Sequence, residues 1–190
     1  MKKYGNDYRT SGKQFEYTGK WYGTGTSVEE LKRHAVKSSV FMGIMLLVYL
    51  GGLMVNNTGS RIFWILLPYV VMIFPISYGI MGSVSLFLFC RNQEEKGKKS
   101  QVVIPEEHKG HMTRAQYEKG IRRLTRCGIA ITGLSIFTVA ADLILMILGG
   151  SDFLLTREIL FEATALIILA LGSVNTVKNW RIKAKFTIFE

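Results

Sequence analysis

Three carboxylates stand in stretches that are otherwise apolar, and they are the strongest candidates for chemistry in this chain. Asp142 interrupts one long uncharged stretch, and Glu158 and Glu162 lie four residues apart near the start of the next. If these stretches cross a membrane, each carboxylate costs at least ~2.5 kcal/mol to insert and must face a protein interior, a water-filled cavity or a cationic partner. Clustered carboxylates of this kind bind protons or small cations.

The helical faces place these acids near one another. On the third apolar stretch, steps of four and three residues give a stripe made of Gly128, Thr132, Ser135, Val139 and Asp142. On the fourth, the corresponding stripe is made of Glu158, Glu162, Ala165, Leu169, Gly172 and Thr176. We expect the two small and polar stripes to face each other or a shared cavity.

Three interpretations of this polar group are open. Arg157 and Arg61 would neutralise the acids in a structural network, or the acids would form a path for a cation or protons. In the third, a basic or polar helix of a partner docks against them. The candidate intramembrane polar cluster therefore comprises Asp142, Glu158, Glu162, Arg157 and Arg61.

Four apolar stretches must position these residues. Residues 38–60 and 62–90 contain no Lys, Arg, Asp, Glu or His, and both exceed the roughly 20 residues that a helix needs to cross a ~30 Å hydrocarbon core. A third stretch runs from about Cys127 to Leu148 and a fourth from about Phe153 to Val177. With 48% hydrophobic residues and a mean hydropathy of +0.22, the chain is predicted to be an all-α membrane protein with four transmembrane helices.

The cationic residues indicate an orientation. The arm before the first stretch carries eight Lys or Arg, the central connector ten and the tail four, so that 22 of the 24 fall on one side. The positive-inside rule then places both termini and the connector in the cytoplasm of a multi-pass protein of the cell (plasma) membrane. We expect no removable signal peptide before the first stretch. The net charge of +10 is explained by this bias, and we expect no nucleic-acid partner.

The chain divides into five parts. They are a basic cytoplasmic N-terminal arm (1–37), a first transmembrane hairpin (38–90), a basic connector (91–126), a second hairpin (127–177) and a cytoplasmic tail (178–190). Features recur in order in the two halves: capping boxes at Ser27 and Thr113, Gly-Gly turns at 51–52 and 149–150, and Gly-Ser-Val at 82–84 and 172–174. This internal repeat predicts two similar helical hairpins related by an axis along the membrane normal.

The cytoplasmic segments contain short predicted elements. Phe15, Tyr17 and Trp21 flank Thr18-Gly19, which predicts a short β-hairpin or a membrane-surface aromatic patch. Residues 101–105 predict a short edge strand that ends at a proline. The capping box at Thr113 predicts a helix that lies on, or leads into, the cytoplasmic surface of the third stretch.

The second stretch contains candidate packing or hinge residues. Pro68 and Pro75 each remove a backbone hydrogen bond and favour a kink. Gly79 and Ser83 form a small-residue pair that lets another helix approach closely. Packing and a hinge are both open for this pair.

Several kinds of chemistry are not expected. Cys90 and Cys127 both lie at cytoplasmic ends of predicted helices, where a reducing compartment disfavours a disulfide. His108 and His111 match no closed zinc pattern, so we expect no metal site and no cofactor. The sequence contains no recognisable catalytic arrangement, and we expect that the protein is not an enzyme.

The function predicted from these features is that of a non-catalytic subunit. It would assemble with itself or with a larger membrane transport or export complex, with the bilayer and its anionic lipid headgroups as further partners at the cytoplasmic face. The alternative is an independent small transporter or channel that moves a cation or protons through a site containing Asp142, Glu158 and Glu162.

Overall fold

The computed structural model describes residues 7–11, 14–94, 102–103, 111–148 and 155–189. These residues are mostly helical, and four helices are long and apolar enough to cross a membrane, as the uncharged stretches predict. The predicted strand at 101–105 is described only at 102–103. His108 and the second Gly-Gly turn lie outside the described residues.

The first two apolar stretches form three helices. Helix α1 (Val28–Leu53) begins after Ser27, whose side chain accepts a hydrogen bond from the Glu30 N–H as an N-cap. Helix α1 continues through Gly51 and Gly52, so the predicted turn at these two residues is wrong and the chain turns after Leu53. A 3₁₀ turn (Gly59–Arg61) then leads into α2 (Phe63–Val71) and α3 (Ile73–Glu94). The Ser27 cap satisfies one of the N–H groups that a helix start leaves without an intrahelical partner.

The second half of the chain forms the other two long helices. Helix α4 (Arg114–Tyr117) starts with the predicted capping box, in which Thr113 and Gln116 satisfy each other's backbone N–H groups. A π-helical turn (Glu118–Arg122) joins it to α5 (Arg123–Leu148), so this helix leads into the third stretch as predicted. The fourth stretch is α6 (Leu155–Ala184).

The break between α2 and α3 lies just before Pro75. Val71 is the last residue of α2, and its carbonyl is the one that Pro75, four residues later, cannot bond for want of an N–H. Pro68 lies inside α2 without ending it. The Tyr49 hydroxyl of α1 lies 3.4 Å from the Val70 carbonyl oxygen, so a neighbouring helix supplies a donor near the break.

The long helices pack so that each contacts two others. Helix α1 lies against α3 and α6, and α5 lies against α6, α3 and α2. At Gly79 the approach of α1 is so close that a Cβ would lie 2.5 Å from the Met42 Cε, and the Ser83 hydroxyl donates to the Gly79 carbonyl within α3. Gly79 and Ser83 therefore lie in a packed helix contact.

Within the described residues, six short strands form two sheets of three. In the first, β1 (Tyr8–Ser11) pairs antiparallel with β2 (Gln14–Tyr17), and β2 pairs parallel with β4 (Val102–Val103). In the second, β3 (Trp21–Thr24) lies between β5 (Met112–Thr113) and β6 (Phe186–Phe189) and is antiparallel to both. The arm, the connector and the tail therefore meet at one end of the helices, which we call the basic end; the opposite end is the far end.

The predicted hairpin around Thr18-Gly19 is wrong in its position. The segments on either side of this turn, β2 and β3, belong to different sheets and do not pair with each other. The hairpin of this region is formed by β1 and β2. Strand β3 instead pairs with β5 from the connector on one edge and with β6 from the tail on the other. Neither edge of β3 is therefore left for β2.

Candidate functional site

A turn at the far end is held by the carboxylate of Glu158. Its Oε1 accepts hydrogen bonds from the backbone N–H groups of Thr58 and Gly59, the latter at 2.9 Å. Its Oε2 accepts from the Asn57 side-chain Nδ2 at 2.6 Å. Glu158 is fully buried, and as an anion at the start of the 3₁₀ turn it is stabilised by the N–H groups that no turn carbonyl can reach.

The other two acids have no such donors. Asp142 is 0% exposed and Glu162 is 6% exposed, and none of their four side-chain oxygens has a hydrogen-bond partner among the described residues. A buried polar atom without a partner costs about 1–3 kcal/mol, and more when it is charged. These two carboxylates are therefore the costly part of the site.

The three acids form one group around Gly59. A Cβ added to Gly59 would lie 2.6 Å from Asp142 Oδ1 and 3.0 Å from Glu158 Oε2. Asp142 is also in direct side-chain contact with both Glu158 and Glu162. Ionised carboxylates only accept hydrogen bonds, so two of them in contact need a proton or a cation between them.

The side chain of Asn57 adds a neutral acceptor to the group. Its Nδ2 is committed to Glu158, while its Oδ1 is buried without a donor in the described part of the chain. The far-end acid cluster, defined as Asp142, Glu158, Glu162 and Asn57, thus has five buried oxygens without donors. Buried oxygens without donors are stabilised by a bound cation, by a proton or by a hydrogen-bond donor.

Arg61 and Arg157 bond to Asn56 rather than to the acids in the part of the chain that the structure describes. The Arg61 side chain donates to Asn56 Oδ1 at 3.3 Å, and the Arg157 side chain donates to the Asn56 carbonyl oxygen at 3.2 Å. Both arginines are exposed, where water solvates them at little cost. The structure brings the three acids together, and the two arginines bind Asn56 beside them. Neutralisation of the acids by these arginines stays a prediction.

The polar stripes of α5 and α6 do face each other below the cluster. The hydroxyls of Thr132 and Thr176 lie 3.3 Å apart, and Gly128 lets Thr176 approach so closely that a Cβ there would be 2.5 Å from its Oγ1. The side chain of Ser135 is an exception, since its hydroxyl is directed at Met72. The stripes thus predict the contact that brings Asp142 to the glutamates.

Asn57 and Gly59 belong to the site although the sequence analysis did not select them. Their signal is the turn sequence Asn57-Thr58-Gly59, whose residue types favour local side-chain bonds and tight backbone. Nothing in the pattern indicates that its N–H groups bind a carboxylate about a hundred residues later.

Within the described ranges, no three His, Cys, Asp or Glu side chains are arranged to hold a metal ion. The carboxyl groups at the far end can each bind and release a proton. Comparison with protein-family models, with curated proteins and with solved structures finds no match to this chain.

Proposed function

We propose that this is a multi-pass membrane protein whose far-end acid cluster binds and passes on protons or a monovalent cation. The observation that carries the proposal is the burial of Asp142 and Glu162 with four carboxylate oxygens that lack donors. A chain that kept these acids for structure alone would gain from a donor beside them, as Glu158 does. An ion-binding site needs unsatisfied ligands before the ion arrives.

The membrane location rests on the sides of the helices. Leu47 and Trp64 are each 70% exposed and Ile147 is 80% exposed, and the apolar windows of the four helices are only 22–33% buried. Apolar surface of this extent is stable in contact with lipid and unstable in water. We propose that all four helices cross the cell membrane as two similar hairpins.

The proposed orientation rests on the excess of Lys and Arg at the basic end over the far end. The three segments that carry 22 of the 24 Lys and Arg residues are the arm, the connector and the tail, and their strands β3, β5 and β6 form one sheet. With the basic end in the cytoplasm, the acid cluster lies in the outer half of the membrane.

Flux measurements test the proposal. The purified protein is placed in liposomes, and proton and potassium or sodium fluxes are recorded for the native chain, Asp142→Asn and Glu162→Gln. We expect flux in the native protein and at least a tenfold loss in each variant. Thr138→Val is the matched control, because Thr138 is equally buried one turn away on α5 and donates only to its own Leu134 carbonyl. No flux from the native chain, or the same flux from both acid variants, refutes the proposal.

A second candidate is the non-catalytic subunit of a larger assembly, either with itself or with a transport or export complex. It is supported by β6, which lies at the edge of its sheet and exposes Ile188 by 59% and Phe189 by 42%. An apolar edge strand is a surface to which another strand can add. The subunit function predicts that mild detergent extracts a complex that Ile188→Lys dissociates; a native monomer without partners contradicts it.

A further inference from the structure

A second polar site lies at the basic end, in a cleft between α1 and α6. The cleft has a volume of about 200 Å³, which is the space of roughly six or seven waters at ~30 Å³ each. Helix α1 contributes Arg33, His34, Lys37 and Ser38 to its lining, and α6 contributes Asn175 and Lys178. This cluster is separate from the acids, which lie at the far end.

The neutral side chains of the cleft are arranged as donors. The Ser38 hydroxyl donates to Asn175 Oδ1 at 3.0 Å, which commits the acceptor of that amide. Asn175 is 1% exposed, and its Nδ2 has no acceptor among the described residues. A buried N–H donor without an acceptor costs about 1–3 kcal/mol, and an anion in the cleft would supply that acceptor.

His34 presents a second nitrogen to the same space. Its Nε2 lies 2.8 Å from Asn179 Oδ1, and the Asn179 amide is oriented by its own donation to the Leu124 carbonyl. The Nε2 must therefore carry the hydrogen, because an amide oxygen only accepts. The Nδ1 of this neutral ring carries a lone pair, so His34 adds no donor to the cleft and is not one of the ligands of an anion.

The charges of the cleft are mostly positive. Arg33, Lys37 and Lys178 line it together with one carboxylate, Glu30, and Glu30 already accepts from Lys185 at 3.3 Å. Lys178 is held with its ammonium 4.6 Å from the Phe41 ring centroid, which limits its freedom to leave the cleft. An anion therefore finds three cations, of which Lys178 is held in place, as well as the Asn175 donor.

Exposed apolar side chains follow the cleft cations along both helices, in the direction of the far end. Val40, which follows Lys37 on the same face of α1, is 56% exposed, and Val174 on α6 is 45% exposed. Acyl chains can lie along these residues while a headgroup occupies the cleft. We propose that the cleft binds the phosphate of an anionic phospholipid, with Lys37, Lys178 and the Asn175 amide as its main ligands.

The test is native mass spectrometry of the full-length protein in detergent. Phosphatidylglycerol, phosphatidylcholine and inorganic phosphate are added separately, and the bound fraction is measured against concentration. We expect the native protein to prefer phosphatidylglycerol by tenfold or more. Lys37→Gln/Lys178→Gln should weaken that binding roughly 30-fold, the change expected for two cations at about 1 kcal/mol each. The control Lys32→Gln/Arg181→Gln removes the same charge from the same two helices outside the cleft and should change binding less than threefold.

Asn175→Asp separates the site from general charge attraction. The new carboxylate keeps an acceptor for Ser38 but replaces the Nδ2 donor by a negative oxygen, so phosphatidylglycerol binding should fall at least tenfold. The variant should still elute as a single species in size-exclusion chromatography, as the native protein does. Binding that survives Asn175→Asp, or that falls equally in the control pair, overturns the proposal. Phosphate binding that is sensitive to these variants without any preference for phosphatidylglycerol supports an anion site and overturns the lipid as its ligand.

Discussion

Replacing Asp142 by asparagine should make the protein more stable while it removes the proposed ion site. The substitution preserves the shape of the side chain and keeps one oxygen. It introduces an N–H₂ group in contact with Glu158 and Glu162, whose carboxylates can accept from it, in place of an oxygen that has no donor. It also removes one of three acidic groups from a buried cluster.

The expected gain follows from these contacts. Satisfying buried polar atoms is worth about 1–3 kcal/mol, and removing a like charge at ~5 Å is worth up to about 3 kcal/mol at an effective dielectric constant of ~20. Some of this repulsion is already relieved in the native protein by whatever proton or cation it binds. We therefore expect a net gain of about 2 kcal/mol, which raises the melting temperature by roughly 4–8 °C for a chain of this size.

The assay is thermal unfolding in detergent, monitored by circular dichroism, in a mildly alkaline buffer that is free of added sodium and potassium. Thr138→Val on the same helix is the control and should change the melting temperature little. If the Asp142→Asn protein melts at or below the melting temperature of the native protein, the Asp142 carboxylate has a stabilising partner and the predicted gain in stability is wrong. Higher stability together with lost flux is the result expected of a binding site.

Three further predictions concern other contacts. Glu158→Ala removes three hydrogen bonds from the far-end turn and should cost about 3 kcal/mol or more, measured by thermal unfolding; Glu158→Gln should cost less, because its amide can donate to Asn57 Oδ1. Gly128→Ala places a Cβ against Thr176 and should cost about 1–3 kcal/mol, whereas Gly133→Ala on the same helix meets nothing within 4 Å and should be neutral or stabilising. Tyr17→Phe removes the hydroxyl that donates to the Lys20 carbonyl and accepts from the Arg114 N–H and should cost about 1–2 kcal/mol. Burial raises the pKa of Tyr17 in the folded protein, so the unfolded chain loses this proton at a lower pH than the folded one. The free energy of unfolding should therefore decline as pH rises above ~10. Melting temperatures measured against pH should show a smaller decline in Tyr17→Phe than in the native protein.

The sequence predicts the features that depend on local periodicity. The absence of charge over 38–60 and 62–90 predicts the first two long apolar helical segments, and the spacing of Gly128, Thr132 and Asp142 predicts the face of α5 that meets α6. The encounter of Asp142 with Glu158 follows, because both lie on facing stripes near the same helix ends. These inferences need only the geometry of one helix at a time.

The features that the sequence does not predict depend on distant partners. The hydrogen bonds from Thr58 and Gly59 to Glu158 join residues about a hundred positions apart. Trp21 pairs with Thr113 and with Phe189, so a pattern of neighbouring aromatic residues predicted the wrong strand partners. Proximity in sequence likewise favoured Arg157 as a partner of the acids, although its exposed guanidinium reaches Asn56 instead.

The close approach of Gly128 to Thr176 has a mechanical consequence for access to the acids. This contact lies near the basic end, and Asp142 follows fourteen residues later on α5, about 21 Å along the axis at ~1.5 Å per residue. With this contact as a fulcrum, a tilt of α5 by ~10° would swing Asp142 sideways by roughly 4 Å, more than the width of a water molecule. The far-end turn would stay with α6, because Glu158 holds it. This tilt would separate Asp142 from Glu158 and Glu162, while the contact of Gly128 with Thr176 stayed closed.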